Sequence, residues 1–174
     1  MLERLLADCV EESVSHAVLV TAPPGLGKSR LRHEFLRRAR VRTPDFELLF
    51  ARGETTTARS AYGLLRQALS RLCGITGSEP LSEQREKLIE RVDHSGIRNG
   101  RRIAGFLGEL CGLQLPAADN PHLEKARQAP WLMGEQLGQA LVDFLRADCS
   151  ARPVVMVLED LHYADALSIK LIER

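Results

Sequence analysis

The eight residues Ala22-Pro23-Pro24-Gly25-Leu26-Gly27-Lys28-Ser29 constrain this chain more than any other stretch. They follow a compact, β-branched apolar run, His16-Ala17-Val18-Leu19-Val20-Thr21. After them Leu31, Phe35 and Ala39 recur every four residues, with Arg30, Arg32, Arg37, Arg38 and Arg40 on the other faces. The run reads as a strand buried on both faces of a parallel sheet, and the repeat predicts a helix over residues 28–41 packed on it. A glycine turn joining such a strand to such a helix lets backbone N–H groups converge on a polyphosphate at the positive end of the helix dipole.

The residue types follow from that task. Pro23 and Pro24 carry no N–H, so the donors must come from about Gly25 onward, and Gly25 and Gly27 let the backbone approach without a Cβ in the way. Lys28 is expected along the β- and γ-phosphates as a charge, and Ser29 to offer its hydroxyl to Mg²⁺. Ala22 stands where the pattern usually has glycine, a tolerable exchange unless φ there is positive. In isolation the octet is also a Pro/Gly turn capped by serine. The strand before it and the helix after it favour the phosphate reading.

A second feature lies near the other end of the chain. Pro153 opens the most hydrophobic strand, Val154-Val155-Met156-Val157-Leu158, which runs into Glu159-Asp160, so the strand with its acidic end covers residues 154–160. Carboxylates delivered beside a phosphate loop can contact Mg²⁺ and polarise an attacking water. Glu159 and Asp160 are expected to share the metal and catalytic roles. His162 reads as a packed, hydrogen-bonded loop histidine in preference to a γ-phosphate sensor, and Asp165 as the cap of a helix over Asp165–Ile172.

Around these features the pattern is α/β. Residues 2–13 form a short amphipathic helix through Leu2, Leu5, Leu6, Cys9 and Val10, and Phe46–Ala51 reads as a second strand after the Thr43-Pro44-Asp45 turn. Spaced leucines and isoleucines predict helices at Tyr62–Cys73, Ser82–Val92 and Ile103–Cys111, a helical insert of about 60–112. Pro116–Pro130, with Asp119, Asn120 and Pro121, reads as a loop, and Leu132–Ala147 as another helix. Arg98, Arg101 and Arg102 are taken as a solvated helix start.

Twenty-four Lys+Arg against 23 Asp+Glu leave a net charge of +1, so no global field argues for nucleic acid or a membrane surface. Cys9, Cys73, Cys111 and Cys149 lack metal or C-x-x-C spacing and read as reduced, small buried hydrophobes. No apolar run approaches a membrane span, and the expected location is cytoplasmic.

Thr21–Ser29, followed by Arg30-Leu31, and Val157-Leu158-Glu159-Asp160-Leu161-His162-Tyr163-Ala164-Asp165, resemble the Walker A and Walker B regions of the AAA-related STAND ATPases of large bacterial signalling proteins, often joined to kinase, cyclase or LuxR-type regulator modules. Arg52–Leu69, containing Ser60-Ala61-Tyr62-Gly63-Leu64-Leu65, resembles the segment after their second strand. The resemblance implies one P-loop NTPase core over residues 1–174, a parallel sheet flanked by helices and truncated after the Walker B strand. It implies ATP and Mg²⁺ as ligands: the loop Ala22, Pro23, Pro24, Gly25, Leu26, Gly27, Lys28, Ser29 and Arg30 on nucleotide, and Ser29, Glu159 and Asp160 on metal. The family's commoner order is aspartate then glutamate; here it is reversed, and which residue is the base stays open. The family's sheet order, two-three-four-one-five, would place a missing strand between the loop strand and the acidic strand. Either those neighbours pair directly or the sheet needs the rest of a parent protein.

The leading expectation is the ATP/Mg core of a signalling ATPase, a nucleotide-dependent switch. Its partners are ATP or ADP and the remainder of a larger protein or an oligomeric partner. A small-molecule or nucleotide kinase, with Arg52 and Glu54 near an acceptor, is the alternative enzyme class. A helical interaction module indifferent to nucleotide is the third reading.

Overall fold

The structure, a computed structural model, describes residues 1–55, 60–116 and 120–173. Residues 56–59 of the Arg52–Leu69 stretch, residues 117–119 of the Pro116–Pro130 stretch, and Arg174 lie outside the described residues. The chain divides into two compact units, Met1–Glu47 and Leu48–Arg174.

In the first unit, helix α1 (Leu2–Glu12) packs on helix α2 (Lys28–Arg42). The expected end of α1 at residue 13 falls one residue earlier, because Ser13 turns left-handed at φ 55°. Glu3 faces the Arg38 guanidinium at 3.2 Å, and Glu34 bridges Arg37 and Arg38 on the exposed side of α2. Those two arginines hold the Glu34 carboxyl down at about 2. After the turn, Phe46 is buried with Arg40 over its ring.

The strand expected at His16–Thr21 does not form: residues 13–23 carry no helix or strand, and Leu19 is 76% exposed. An apolar, β-branched run favours extended backbone, but a strand exists only where a neighbour completes its ladder and covers its faces. The one sheet among the described residues does not include this run. An apolar groove of about 560 Å³ stays open beside it, lined by Leu2, Val18, Val20, Leu31 and Phe35 among others.

The second unit holds a parallel pair, β1 (Glu47–Arg52) and β2 (Val154–Glu159), flanked by helices. The two strands finish at the same end, where Gly53 N donates to Glu159 O at 2.8 Å. The second and third expected strands are thus neighbours, in line with the order that the resemblance implies. Leu49 and Ala51 of β1 are fully buried, whereas all six residues of β2 are half-buried despite their hydrophobicity. Asp160, expected at the end of the strand, lies just beyond it in a left-handed conformation.

Helices α3 (Gly63–Leu72), α4 (Leu81–His94), α5 (Gly100–Cys111), α6 (Pro121–Arg127), α7 (Pro130–Ala151) and α8 (Ala166–Ile172) surround this pair. Phe106, Leu107, Leu110, Leu123, Leu137 and Phe144 form the centre of their shared core. A smaller cluster of Ala51, Leu64 and Ala68 joins β1 to α3. The loop expected at Pro116–Pro130 contains α6: Asn120 caps it by accepting from Leu123 N at 3.1 Å, and Pro121 takes the first helical position. Leu123 and Ala126 are its buried residues and anchor so short a helix to the core. The helix expected at Leu132–Ala147 extends to 130–151, started by Pro130.

Of the expected buried cysteines, Cys111 is buried, Cys9 and Cys73 are half-buried and Cys149 is exposed. Burial pushes the Cys73 thiol up to about 12 and that of Cys111 to about 11, so both stay protonated near neutrality. Arg98 and Arg101 are exposed at the start of α5, while Arg102 bonds Gln136 and Asp143. No helix among the described residues is long and apolar enough to cross a membrane.

Candidate functional site

The first cluster is the loop that launches α2. Gly25 and Gly27 have φ of 84° and 85°, and a Cβ built on either would meet nothing within 4 Å. Backbone conformation, not space, therefore selects glycine at both positions. Ala22 is not among the residues of positive φ, so its Cβ is tolerated. Gly27 is the N-cap of α2, and the first closing bond of that helix runs from Leu31 N to Gly27 O at 2.9 Å. The N–H groups of Lys28, Ser29 and Arg30 therefore precede the helical ladder, in a first turn with no acid. Lys28 Nζ folds back to donate to Ala22 O at 2.6 Å and Pro23 O at 3.1 Å. The proline half of the loop thus supplies carbonyls that steer the ammonium, and the glycine half leads into the N–H groups that precede the helical ladder. Leu26, Ser29 and Arg30 are exposed. Such a cradle, with a hydroxyl at the second helical position, fits a polyphosphate with a hard divalent cation.

The second cluster lies at the common end of β1 and β2. Glu159 closes β2, and Asp160 follows with φ 51°, a conformation aspartate tolerates better than most side chains. Arg52 Nε donates to Asp160 Oδ2 at 2.7 Å, and the carboxylate raises the guanidinium pKa further. Arg52 N in turn donates to Gln67 Oε1 on α3. Arg52, which with Glu54 would serve an acceptor only in the alternative kinase reading, is engaged with Asp160. Gly53 lies against the turn after β2, where a Cβ would come within 2.4 Å of Asp160 O. His162 is not the packed residue expected: it is exposed in the 3₁₀ turn Leu161–Tyr163, its ring 4.0 Å from that of Tyr163.

Asp165 is the N-cap of α8, as expected, accepting from Ser168 N at 2.8 Å. It is buried, and it also accepts from Tyr62 N and Leu64 N at the start of α3. Burial pushes its pKa up. The bonds from the Ser168 hydroxyl and from the Ser168, Leu64 and Tyr62 N–H groups together outweigh that and hold it below the ordinary value. A carboxylate with a depressed folded-state pKa stabilises fully above its unfolded pKa, near 4, and loses that stabilisation as the pH falls through the folded value. Asp165→Asn is therefore expected to lower stability by about 1–3 kcal/mol at neutral pH. The gap in urea midpoint between variant and wild type should close on acidification below about pH 4. A gap that stays constant through that range would contradict the assignment.

Sequence reasoning gave Arg52, Gly53, Gln67 and Ser168 no part in this site. Their only sequence signal is position: Arg52 ends a strand, Gly53 follows it, and Gln67 and Ser168 lie on helices, while the bonds that join them to the site span 15 to 108 residues, apart from the Ser168 bonds to Asp165.

A glycine cradle at a helix N-terminus, and an α/β layer whose apolar strand ends in two acids, define the class of nucleotide-binding P-loop ATPases. The family model described as "AAA ATPase domain" matches residues 1–174, and the chain belongs to that family. It is also 30% identical over 171 residues to an uncharacterized protein of Rhizobium meliloti (strain 1021), an alignment covering 96% of this chain. The chain spans about 15% of the length of that relative. No solved structure matches it.

Proposed function

We propose that residues 1–174 form the ATP/Mg²⁺-binding core of a STAND-type signalling ATPase, in which ATP against ADP biases a conformational switch in a larger protein of the cytoplasm. The observation that carries this reading is the cradle at Gly25–Ser29: two left-handed glycines, a helix start without acids and Lys28 bent over the same loop. In the proposal Gly25, Leu26 and Gly27 N–H groups receive the phosphates, with Ala22, Pro23 and Pro24 shaping the loop. Lys28 exchanges its carbonyl partners for phosphate oxygens, and Arg30 adds charge on the exposed side. Ser29, Glu159 and Asp160 hold Mg²⁺, which when bound neutralises charge on the phosphates and sharpens the electrophile. Glu159 and Asp160 also orient and deprotonate water. Binding is the property of this chain by itself; hydrolysis belongs to the larger protein.

Isothermal titration with Mg·ATP tests the reading. Wild type should bind, and Lys28→Ala should weaken binding by about 1.5–3 kcal/mol, the strength of a hydrogen bond to a charged group. Equal heats from the two proteins would overturn it.

A further inference from the structure

Five hydrogen bonds join the segment after β2 to the first turns of α3 and α8. Asp165 Oδ1 accepts from Tyr62 N at 2.9 Å and Ser168 N at 2.8 Å. Asp165 Oδ2 accepts from Leu64 N at 3.1 Å and from the Ser168 hydroxyl at 2.7 Å, and Ser168 Oγ accepts from Leu65 N at 3.2 Å. The first-turn N–H groups of α3 have no acceptor within their own helix, so one buried carboxylate and its serine cap two helices at once.

The same helix reaches Asp160 by a second route. Gln67 of α3 accepts from Arg52 N, and the Arg52 guanidinium holds Asp160. Only the short turn 161–164 separates Asp160 from Asp165, and its start is pressed on Gly53. α3 is therefore tied to both ends of the turn that sets the Asp160 carboxylate. It also grips α5, where Arg66 Nε donates to Leu110 O at 3.3 Å.

We propose that Asp165, through Ser168 and α3, is a positioning residue for Asp160, and that α3 is the element by which a change at Asp160 reaches the helical body. The two motifs Leu-Glu-Asp-Leu-His-Tyr-Ala-Asp and Ser-Ala-Tyr-Gly-Leu-Leu are on this account two halves of one junction. A cation that draws Asp160 Oδ2 away from Arg52 releases one tie to α3 and loads the other. Leu64 and Leu65 are buried, so losing the bonds from their amides to Asp165 and Ser168 costs a full hydrogen bond, and the tie is kept or broken, not stretched. The inference rests on the reading that Asp160 meets the metal of bound Mg·ATP.

The test combines titration calorimetry with amide exchange on the same samples, using ATP with and without Mg²⁺. In wild type the Tyr62, Leu64 and Leu65 amides should change exchange rate by about fivefold or more on saturation with Mg·ATP, and less with ATP and EDTA. Asp165→Asn should reduce the ratio of Mg·ATP to metal-free ATP affinity toward that of Asp160→Asn while metal-free ATP affinity holds. A merely structural role would lower both affinities together. Ser168→Ala keeps the carboxylate and should give a smaller shift of the same kind; it carries the affinity test if Asp165→Asn does not fold. ATP binding with an unchanged metal ratio in the variants, or with silent α3 amides in wild type, overturns the proposal. Absence of any wild-type binding heat overturns the nucleotide reading itself and this inference with it, so the two failures are told apart by the calorimeter.

Discussion

Asp148→Ala is expected to lower the unfolding free energy by about 3–5 kcal/mol. Asp148 is 3% exposed, on the last turns of α7, and its two carboxylate oxygens take the two terminal nitrogens of Arg91 from α4. The Arg91 side chain is itself only 13% exposed, and its guanidinium lies 5.2 Å from the centroid of the Phe144 ring. The pair was assembled at the expense of two hydration shells, so its net worth beside an apolar pair of equal volume is small. Deleting one partner is another matter, because it leaves a cation in the helical core without its carboxylate. The prediction therefore has two arms in urea denaturation. Asp148→Ala should lose a large share of a stability that is typically about 5–15 kcal/mol. Arg91→Met combined with Asp148→Leu should recover most of it. A single variant within about 1 kcal/mol of wild type would show that the charge finds water, against its burial here.

What the sequence disclosed and what it hid divide along the range of the interactions. The glycines of the cradle were legible because a left-handed φ is a local demand, met by one residue type whatever surrounds it. The helices of the second unit were legible because apolar spacing reports on a face, and that face found its core at Leu65, Leu69, Leu88 and Leu107. His16–Thr21 shows the limit of that logic. Its residues state a preference for extended backbone, but the preference becomes a strand only through neighbours, and composition does not say whether they are present. Helix α6 failed in the opposite direction. Asn120-Pro121 is a local start signal, outweighed in the reading by the prolines around it.

The acidic end of β2 was partly legible. Its two carboxylates and the cap at Asp165 follow from short motifs, whereas the engagement of Asp160 by Arg52 and of α3 by Asp165 needs the fold to bring together residues 101 to 108 apart. Nothing in the sequence around Arg52 distinguishes an arginine on solvent from one aimed at a carboxylate. The parallel pairing of β1 and β2 makes that distinction by ending both strands at the same level.

Gly53 is where that shared level is enforced, and Gly53→Ala is expected to be the most damaging single methyl group in the second unit. Its φ lies outside the left-handed region, so the backbone alone would accept alanine. Space does not: the new Cβ would stand 2.4 Å from Asp160 O and 3.1 Å from both Ala164 N and Tyr163 C. All three are main-chain atoms, and no rotamer change can move them. The strand end and the 161–164 turn must separate, and the bond from Gly53 N to Glu159 O at 2.8 Å goes with them. The expected loss is about 3 kcal/mol or more by denaturant unfolding, at the upper end for overpacking because backbone must yield. In the proposed function, the preference for Mg·ATP over metal-free ATP should fall as Asp160 is displaced. Gly25→Ala gives the contrasting case, since its Cβ would meet nothing within 4 Å but its φ of +84° strains any side chain. That variant should cost about 1–2 kcal/mol and weaken ATP binding with and without metal alike. If Gly53→Ala proved as mild as Gly25→Ala and left the metal preference intact, the close approach of Gly53 to Asp160 would not be what holds the acidic turn in place.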